Sequence, residues 1–327
     1  MNQQIVLGID GGGTYTRVVV ANLKGNILGF SRKAGSHPGK NKDPLKNVNM
    51  AIKGALEEAK QPEQAIQYIV AGFAGLNEEK DKQWATDLLL NRELLVPTAV
   101  MNDAEIAQYG AFLGESGILA IAGTGSIVFG KTEKNKKIRN YNFHHDSKAA
   151  ARYLAYSVIY EIISKNPPPN EQAFVSSVLH YWGVESIQQL RLLASIGFDH
   201  NQIDSVQKLS NMGRIVTSGA ANGSGIAQRA CHHVANSLIT GIELVASMFS
   251  SNPVPLSLIG GVANHPFVKS LILKQLESNN FKQFTYSSPK LAPALGAILY
   301  AYHMMGIQVN EEVLNNLIYT NKHNNFF

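Results

Sequence analysis

Cysteine is nearly missing from this 327-residue chain: Cys231 stands alone, which excludes an intrachain disulfide and any all-cysteine metal cage. Long hydrophobic runs are missing as well. No stretch approaches 18 uninterrupted apolar residues, which argues against a membrane span. The start, Met-Asn-Gln-Gln, has neither a basic region nor an apolar core of signal-peptide kind, so a cytoplasmic protein is expected. Tryptophan occurs only at Trp84 and Trp182, isolated positions that suit packing better than ligand stacking. Charged residues make up 16% and leave a net charge of +5, compatible with nucleic acid but equally with an anionic small molecule. The densest basic run, Lys131 to Arg139, has no interleaved aromatics and lies between two expected strands. It reads as a solvated hairpin tip, so neither nucleic acid nor membrane is expected as a partner.

What is present is 45% apolar sequence, long enough for two domains. The most informative stretch opens the chain. Ile5 to Ile9 is an apolar run ending in Asp10. Gly11, Gly12 and Gly13 follow, then Thr14, and a β-branched run resumes over Thr16–Asn22. That pattern predicts strand, glycine turn and strand, not strand and helix. Three glycines remove every Cβ from the turn, so backbone N–H groups can close on an anion. Asp10 offers a carboxylate for a hydrated cation and Thr14 a hydroxyl, a set that suits magnesium with phosphate. An ordinary glycine hairpin reads equally well on this stretch alone.

Along the chain, Ile27–Ser31 predicts a third meandering strand. The loop Ala34 to Asn41 has the look of a P-loop but fails its spacing, and Asn41 stands where Ser or Thr would bind magnesium. Asp43-Pro44 signals a helix start, and apolar spacing carries the helix to about Lys60. A strand over Ile66–Ala71 leads to a second glycine loop, Gly72 to Gly75, and Glu78 to about Asn91 reads as helix. Val96–Met101 reads as strand and Ala104–Leu113 as helix. The unit then restarts: strand Gly117–Ala122, turn Gly123-Thr124-Gly125-Ser126, strand Ile127–Lys131. Helices are expected from about Ser147 to Ser251, broken at Pro167–Pro169. Pro255–Leu258 is a strand into the turn Gly260-Gly261-Val262, followed by helices over His265–Ser278 and Pro293–Met305. The tail Asn321–Phe327 is expected to fray.

In this order and at these spacings, Gly-Ile-Asp-Gly-Gly-Gly-Thr, Asn-Asp-Ala, Ala-Gly-Thr-Gly-Ser and Gly-Gly-Val-Ala resemble the BadF/BadG/BcrA/BcrD ATPase family over about residues 4–306. That family, to which N-acetylglucosamine kinase belongs, falls within the sugar-kinase, Hsp70 and actin superfamily. The resemblance implies an α/β, two-lobed ribonuclease H-like (actin-like ATPase) fold. Its duplicated β-β-β-α-β-α lobes would hold the nucleotide in the cleft between them. The boundaries expected are 1–116 plus about 293–327 for the N-terminal lobe and 117–292 for the C-terminal lobe with a helical insert.

The resemblance also implies roles. Asp10 would hold Mg2+ through water, with Gly11, Gly12, Gly13 and Thr14 as the first phosphate motif of an ATP site. Gly123, Thr124, Gly125 and Ser126 match the second phosphate motif, and Gly260, Gly261 and Val262 the adenosine motif. Asp103 would be the general base on the attacking sugar hydroxyl, although a helix N-cap explains it locally. Asn102 and Gly75 join it on the sugar side. The chain departs from the family where relatives carry a sugar-contacting asparagine after the third strand; the role would fall to His37 or Asn41, or be absent. It departs again at His144-His145-Asp146, where relatives carry Gly-Asp-Glu-Gly-Ser. Asp146 would still meet the sugar, or else cap a helix. The adjacent histidines, read as extended, point apart and make no metal site.

The expected activity is ATP-dependent phosphorylation of a small amino sugar, N-acetylglucosamine at O6 first among them. Glucosamine and N-acetylmuramic acid remain open, as does a non-catalytic sugar or nucleotide sensor. A dehydratase activator of the same family would need more cysteines, and a chaperone or DNA-binding regulator would need extensions. A homodimer is compatible with the family.

Overall fold

The apolar opening folds as β1 (Ile5–Gly11) and the run after the glycines as β2 (Tyr15–Asn22), antiparallel, with Gly12 N–H donating to the Tyr15 carbonyl at 2.8 Å. The structure, a computed structural model, describes residues 3–89, 96–198, 202–278 and 280–323. β3 (Ile27–Ala34) completes the meander. α1 (Pro44–Ala59) begins as its sequence predicts, with the Asp43 carboxylate accepting from Lys46 N–H at 3.1 Å and proline in its first turn. β4 (Ile66–Phe73) lies parallel to β1. α2 (Lys82–Asp87) is much shorter than the expected helix. The Asp81 carboxylate turns back to accept from Asn77 and Glu78 N–H, both at 2.8 Å, which holds the approach in a 3-10 turn. The expected end at Asn91 lies outside the described residues. β5 (Thr98–Asn102) and α3 (Asp103–Phe112) follow. The sheet order is β3-β2-β1-β4-β5.

The second sheet repeats this order. β6 (Gly117–Ala122), β7 (Ser126–Lys131) and β8 (Lys137–Arg139) are its meander. The basic run forms the β7–β8 hairpin tip, as expected, with Lys134, Lys136 and Lys137 exposed. Five helices come next: α4 (Ala151–Ser164), α5 (Gln172–Trp182), α6 (Ile187–Ser195), α7 (Gln202–Ala221) and α8 (Gly225–Ala246). β9 (Val254–Ile259), α9 (Pro266–Glu277) and β10 (Phe284–Tyr286) complete an order β8-β7-β6-β9-β10. β10 escaped the sequence reading, being only three residues long. Trp182 is buried and its indole N–H meets the Met212 sulfur at 3.2 Å, a packing role as expected. Cys231 is buried in α8, and burial pushes its thiol up to about 12.

Two further helices, α10 (Pro293–Met304) and α11 (Glu311–His323), return to the first sheet. The sequence reading reached α10 but assigned no helix at Glu311. The chain thus divides into two compact units, Met1–Leu119 with Ser288–Phe327, and Ala120–Ser287. Of the tail expected to fray, residues 324–327 lie outside the described residues.

β1 is buried on both faces, which explains its unbroken apolar run. Ile5, Leu7 and Ile9 pack with Val48, Ile52 and Leu56 of α1, whereas Val6 packs with Leu295, Ile298 and Tyr302 of α10. Each such side chain contributes about 1.5–3 kcal/mol of burial. α10 crosses close: a side chain at Gly8 would collide with the Ala294 carbonyl. The Tyr302 hydroxyl donates to the Asn22 carbonyl, and Asn316 Nδ2 donates to Lys24 O at 2.9 Å, fixing α11 on the strand turn. Among the described residues no helix is long and apolar enough to cross a membrane.

Candidate active site

In the first unit three parallel strands end together. Gly11 of β1 pairs with Phe73 of β4, and Phe73 pairs with Asn102 of β5. At about 4.8 Å per strand the glycine turn and the start of α3 lie roughly 10 Å apart along one sheet edge. Ligands of open α/β sheets bind outside the carboxyl ends of parallel strands.

Asp10 faces Arg17 across the β1–β2 ladder, and Arg17 Nη1 donates to its carboxylate at 3.1 Å. The Asp10 carboxyl is nevertheless pushed up, because burial outweighs the guanidinium. Gly11 is sealed from beneath, since a Cβ there would strike the Phe73 ring and the Ser36 hydroxyl. Its carbonyl accepts from Ala74 N–H at 2.8 Å, and Gly12 O accepts from Ser36 N–H at 3.0 Å. Thr14 is exposed beyond the turn.

The loop after β3 is tied to that turn. Asn41 Nδ2 donates to Gly13 O at 3.1 Å and to His37 O at 3.2 Å, so Asn41 is a brace. His37 Nδ1 accepts from Gly39 N–H at 3.0 Å, leaving the neutral ring protonated at Nε2. Burial first, and Lys40 second, hold the His37 pKa below its ordinary value. Nε2 lies over Gly75: a Cβ at Gly75 would sit 2.7 Å from it, and the φ of +91° there independently favours glycine. The structure thereby brings together His37 and Gly75.

Asp103 opens α3, half-buried, with its carboxylate accepting from Ala104 N–H at 3.0 Å. Desolvation raises its pKa to about 7; Asp10 adds to the rise while the Ala104 N–H and Lys40 oppose it. Gly72 makes room for this helix start, because a Cβ there would lie 3.1 Å from Asp103 Cα. The helix cap is Asn102, which is buried and accepts from Ala104 N–H at 2.9 Å while donating to Leu76 O at 2.9 Å. Capping by Asn102 frees Asp103 from the purely local explanation. Those two bonds fix the Asn102 side chain beside Asp103.

In the second unit, the turn Gly123–Ser126 and the turn at Gly260 meet at the end of β6. A Cβ on Gly260, at φ +100°, would collide with the Ala122 carbonyl, which accepts from Val262 N–H at 3.0 Å. Gly123 N–H donates to Gly125 O at 2.9 Å, and Gly123 O accepts from Ala151 N–H of α4 at 2.7 Å. The Ser126 hydroxyl donates to Ser147 O, so it braces the turn. Thr124 is half-buried between Gly123 and Gly125. Gly125 and Gly261 differ from the rest: a Cβ on either would meet nothing within 4 Å, and neither has a positive φ. Nothing in the fold demands glycine there, whereas a ligand lying on bare backbone would.

Asp146 is exposed in the stretch before α4, and the α4 cap is Ala150, so Asp146 does not cap that helix. The histidines are not in one extended segment: His144 ends a 3-10 turn at φ +55°, and His145 N–H returns to Asn140 O. Among the described residues no three or more His, Cys, Asp and Glu side chains cluster as a metal site. Two residues were missed by the sequence reading. Arg17 carries the ion pair to Asp10; its cross-strand position was the available signal. Lys40 was discarded with the failed P-loop.

Two sheets of one order, each with a glycine turn after its first strand, define the ribonuclease H-like α/β fold of actin-like ATPases and sugar kinases. The model of the BadF/BadG/BcrA/BcrD ATPase family matches residues 7–166, bearing out the resemblance. The chain is 24% identical over 303 residues to the N-acetylmuramic acid/N-acetylglucosamine kinase of Clostridium acetobutylicum, covering 90% of this chain and 97% of that one. A crystal structure of a candidate N-acetylglucosamine kinase from Chromobacterium violaceum superposes with a TM-score of 0.72 at 18% identity, covering 91% and 98% of the two chains. A ROK family glucokinase from Streptomyces griseus, in complex with glucose and AMPPNP, gives 0.61 at 18% identity over 91% and 99%.

Proposed function

We propose that the protein is an ATP-dependent sugar kinase that phosphorylates an amino sugar, N-acetylglucosamine at O6 first, with N-acetylmuramic acid and glucosamine as alternative acceptors. The observation that carries this reading is Asp103, a carboxylate with a pKa of about 7 at the same sheet edge as the Gly11–Gly13 turn. A base with a pKa near neutrality is ionised in a useful fraction of molecules and still basic enough to accept a hydroxyl proton.

In this mechanism the acceptor oxygen attacks the γ-phosphorus, its proton passes to Asp103, and the bond to the ADP oxygen breaks. Gly13 and Thr14 in the first unit, and Thr124 and Gly125 in the second, offer donors to phosphate oxygens, on turns that Gly11, Gly12 and Gly123 shape. Ser126 steadies the latter turn, and at the adenosine motif Gly261 offers bare backbone while Gly260 and Val262 hold the turn against the Ala122 carbonyl. The donor set fits Mg2+: Asp10 and Asp103 are two oxygen-bearing carboxylates whose mutual repulsion a cation relieves. Bound there, the ion would offset charge on the phosphates. Asp10 is its holder, through water. His37 Nε2–H, set over Gly75, takes the sugar-binding role of the asparagine in relatives; Asn41 positions it, and Asp146 supplies a second sugar contact.

The test is ADP release with magnesium and ATP across a panel of amino sugars, beside Asp103→Ala. Turnover on one sugar that the variant lacks supports the reading. Calorimetric binding of a sugar with no turnover on any would replace the kinase by a sensor.

A further inference from the structure

Lys40 crosses the phosphate turn. Its stem passes over Gly13, where a Cβ would stand 3.1 Å from Lys40 Cδ and 3.6 Å from Nζ. The missing side chain at Gly13 is what leaves this path open. The backbone under Lys40 is fixed rather than loose. Lys40 N–H donates to His37 O at 3.0 Å, Asn41 ties the loop to Gly13 O, Ser36 N–H ties it to Gly12 O, and Asn47 Nδ2 holds Gly35 O at 2.8 Å. Lys40 itself is half-buried, and its charge reaches both His37 and Asp103. A compact ammonium held over a glycine turn suits a phosphate oxygen, and a cation that counters charge as it develops is worth orders of magnitude in rate.

We propose that Lys40 is a further catalytic residue, whose ammonium contacts the terminal, transferring phosphoryl group of the bound nucleotide at the Gly11–Gly13 turn. The inference rests on the kinase reading for its chemistry, but its ligand contact can be tested without turnover. The motif rejected at Ala34–Asn41 remains rejected, since no helix opens at Lys40 and α1 begins at Pro44. The charge arrives instead from a loop pinned sideways onto a different glycine turn.

The experiment measures Mg-AMPPNP and Mg-ADP binding by calorimetry for the native protein, Lys40→Met and Lys40→Arg, together with kcat on the sugar that turns over. Lys40→Met is expected to weaken AMPPNP about tenfold while leaving ADP within about twofold, and to lower kcat about 100-fold. Lys40→Arg, which keeps the charge and guards against a folding defect in the first variant, is expected to restore most of the AMPPNP preference. Equal losses for both nucleotides, or no loss for either, would overturn the contact with the terminal phosphoryl. A native protein that binds AMPPNP but phosphorylates no sugar would sink the kinase reading and leave the nucleotide contrast to decide Lys40. No binding of either nucleotide by the native protein overturns both.

Discussion

Asp10 and Arg17 sit opposite each other in the β1–β2 register, and Arg17 Nη1 donates to the Asp10 carboxylate at 3.1 Å in a part-buried ion pair. Burial still pushes the Asp10 carboxyl up, so the pair offsets only part of the desolvation. Removing the guanidinium in Arg17→Met therefore raises the Asp10 pKa further. A raised carboxylate weakens the fold once pH passes the point at which the unfolded chain ionises and the native one resists. The variant is expected to lose on the order of 1–3 kcal/mol at pH 8 and less at pH 5. Thermal melts at both pH values check this; equal losses would mean that Arg17 supports the strand by packing alone.

Asp103 makes a second pH prediction. As a general base it must be ionised, so kcat/KM is expected to rise with pH through about 7 and level above it. The charges facing it are Asp10, which raises the midpoint, and Lys40, which lowers it. Asp103→Asn is expected to lower kcat by at least about 100-fold while nucleotide binding holds. The same substitution carries a stability signature. Below about pH 4 both side chains are neutral and the melts coincide; at pH 8 the native carboxylate is charged against its surroundings. Partial exposure screens the effect, so the asparagine variant gains on the order of 1–2 kcal/mol there. Activity that persists in the variant at any pH would remove Asp103 from the proton path.

Gly125 and Gly261 separate folding from binding. Because an added Cβ meets nothing within 4 Å, Gly125→Ala and Gly261→Ala are expected to fold normally. Their melts would hold or rise by the equivalent of about 0.4–1 kcal/mol, through lower entropy of the unfolded chain. Nucleotide affinity is expected to fall about tenfold, since the methyl occupies space assigned to ligand. Unchanged affinity in both would mean that the bare backbone of these turns faces solvent, not adenosine or phosphate.

Much of this architecture was legible in residue order. The turns Gly11-Gly12-Gly13 and Gly123-Thr124-Gly125, each between two strand-forming runs, announced the opening hairpin of both sheets, and Asp43-Pro44 announced α1. The four motifs in sequence announced the duplicated sheet. What escaped did so for physical reasons. β10 is three residues, too short for any period to show, and the start of α2 is delayed by the Asp81 carboxylate, which accepts from Asn77 and Glu78 N–H just ahead of it, a choice of partner that residue order does not reveal. Within the site, Asn102-Asp103 presents two equally good capping residues, and only coordinates show that Asn102 takes the cap. The meeting of His37 with Gly75 joins residues far apart in the chain. Lys40 was hidden by a motif test that asked about spacing, whereas its position follows from how the loop is pinned.

Outside the site, Glu171 offers a test of the second unit alone. Its buried carboxylate accepts from the Ser224 hydroxyl at 2.6 Å, from Gly225 N–H at 2.7 Å and from Ile226 N–H at 3.3 Å. Those are the first donors of α8, a 22-residue helix, and a negative charge at its N-terminus also opposes the helix dipole favourably. Glu171→Ala strands these donors and is expected to cost about 2–4 kcal/mol, a fall in Tm of roughly 5–12 °C. Glu171→Gln keeps one acceptor oxygen and the side-chain volume, and should lose about half as much. Neither change touches Asp10, Asp103 or Lys40, so kcat well below the melting range is expected to stay at the native value. A melt unchanged in the alanine variant would mean that water replaces the carboxylate at no cost, and that α8 is held by its apolar face alone.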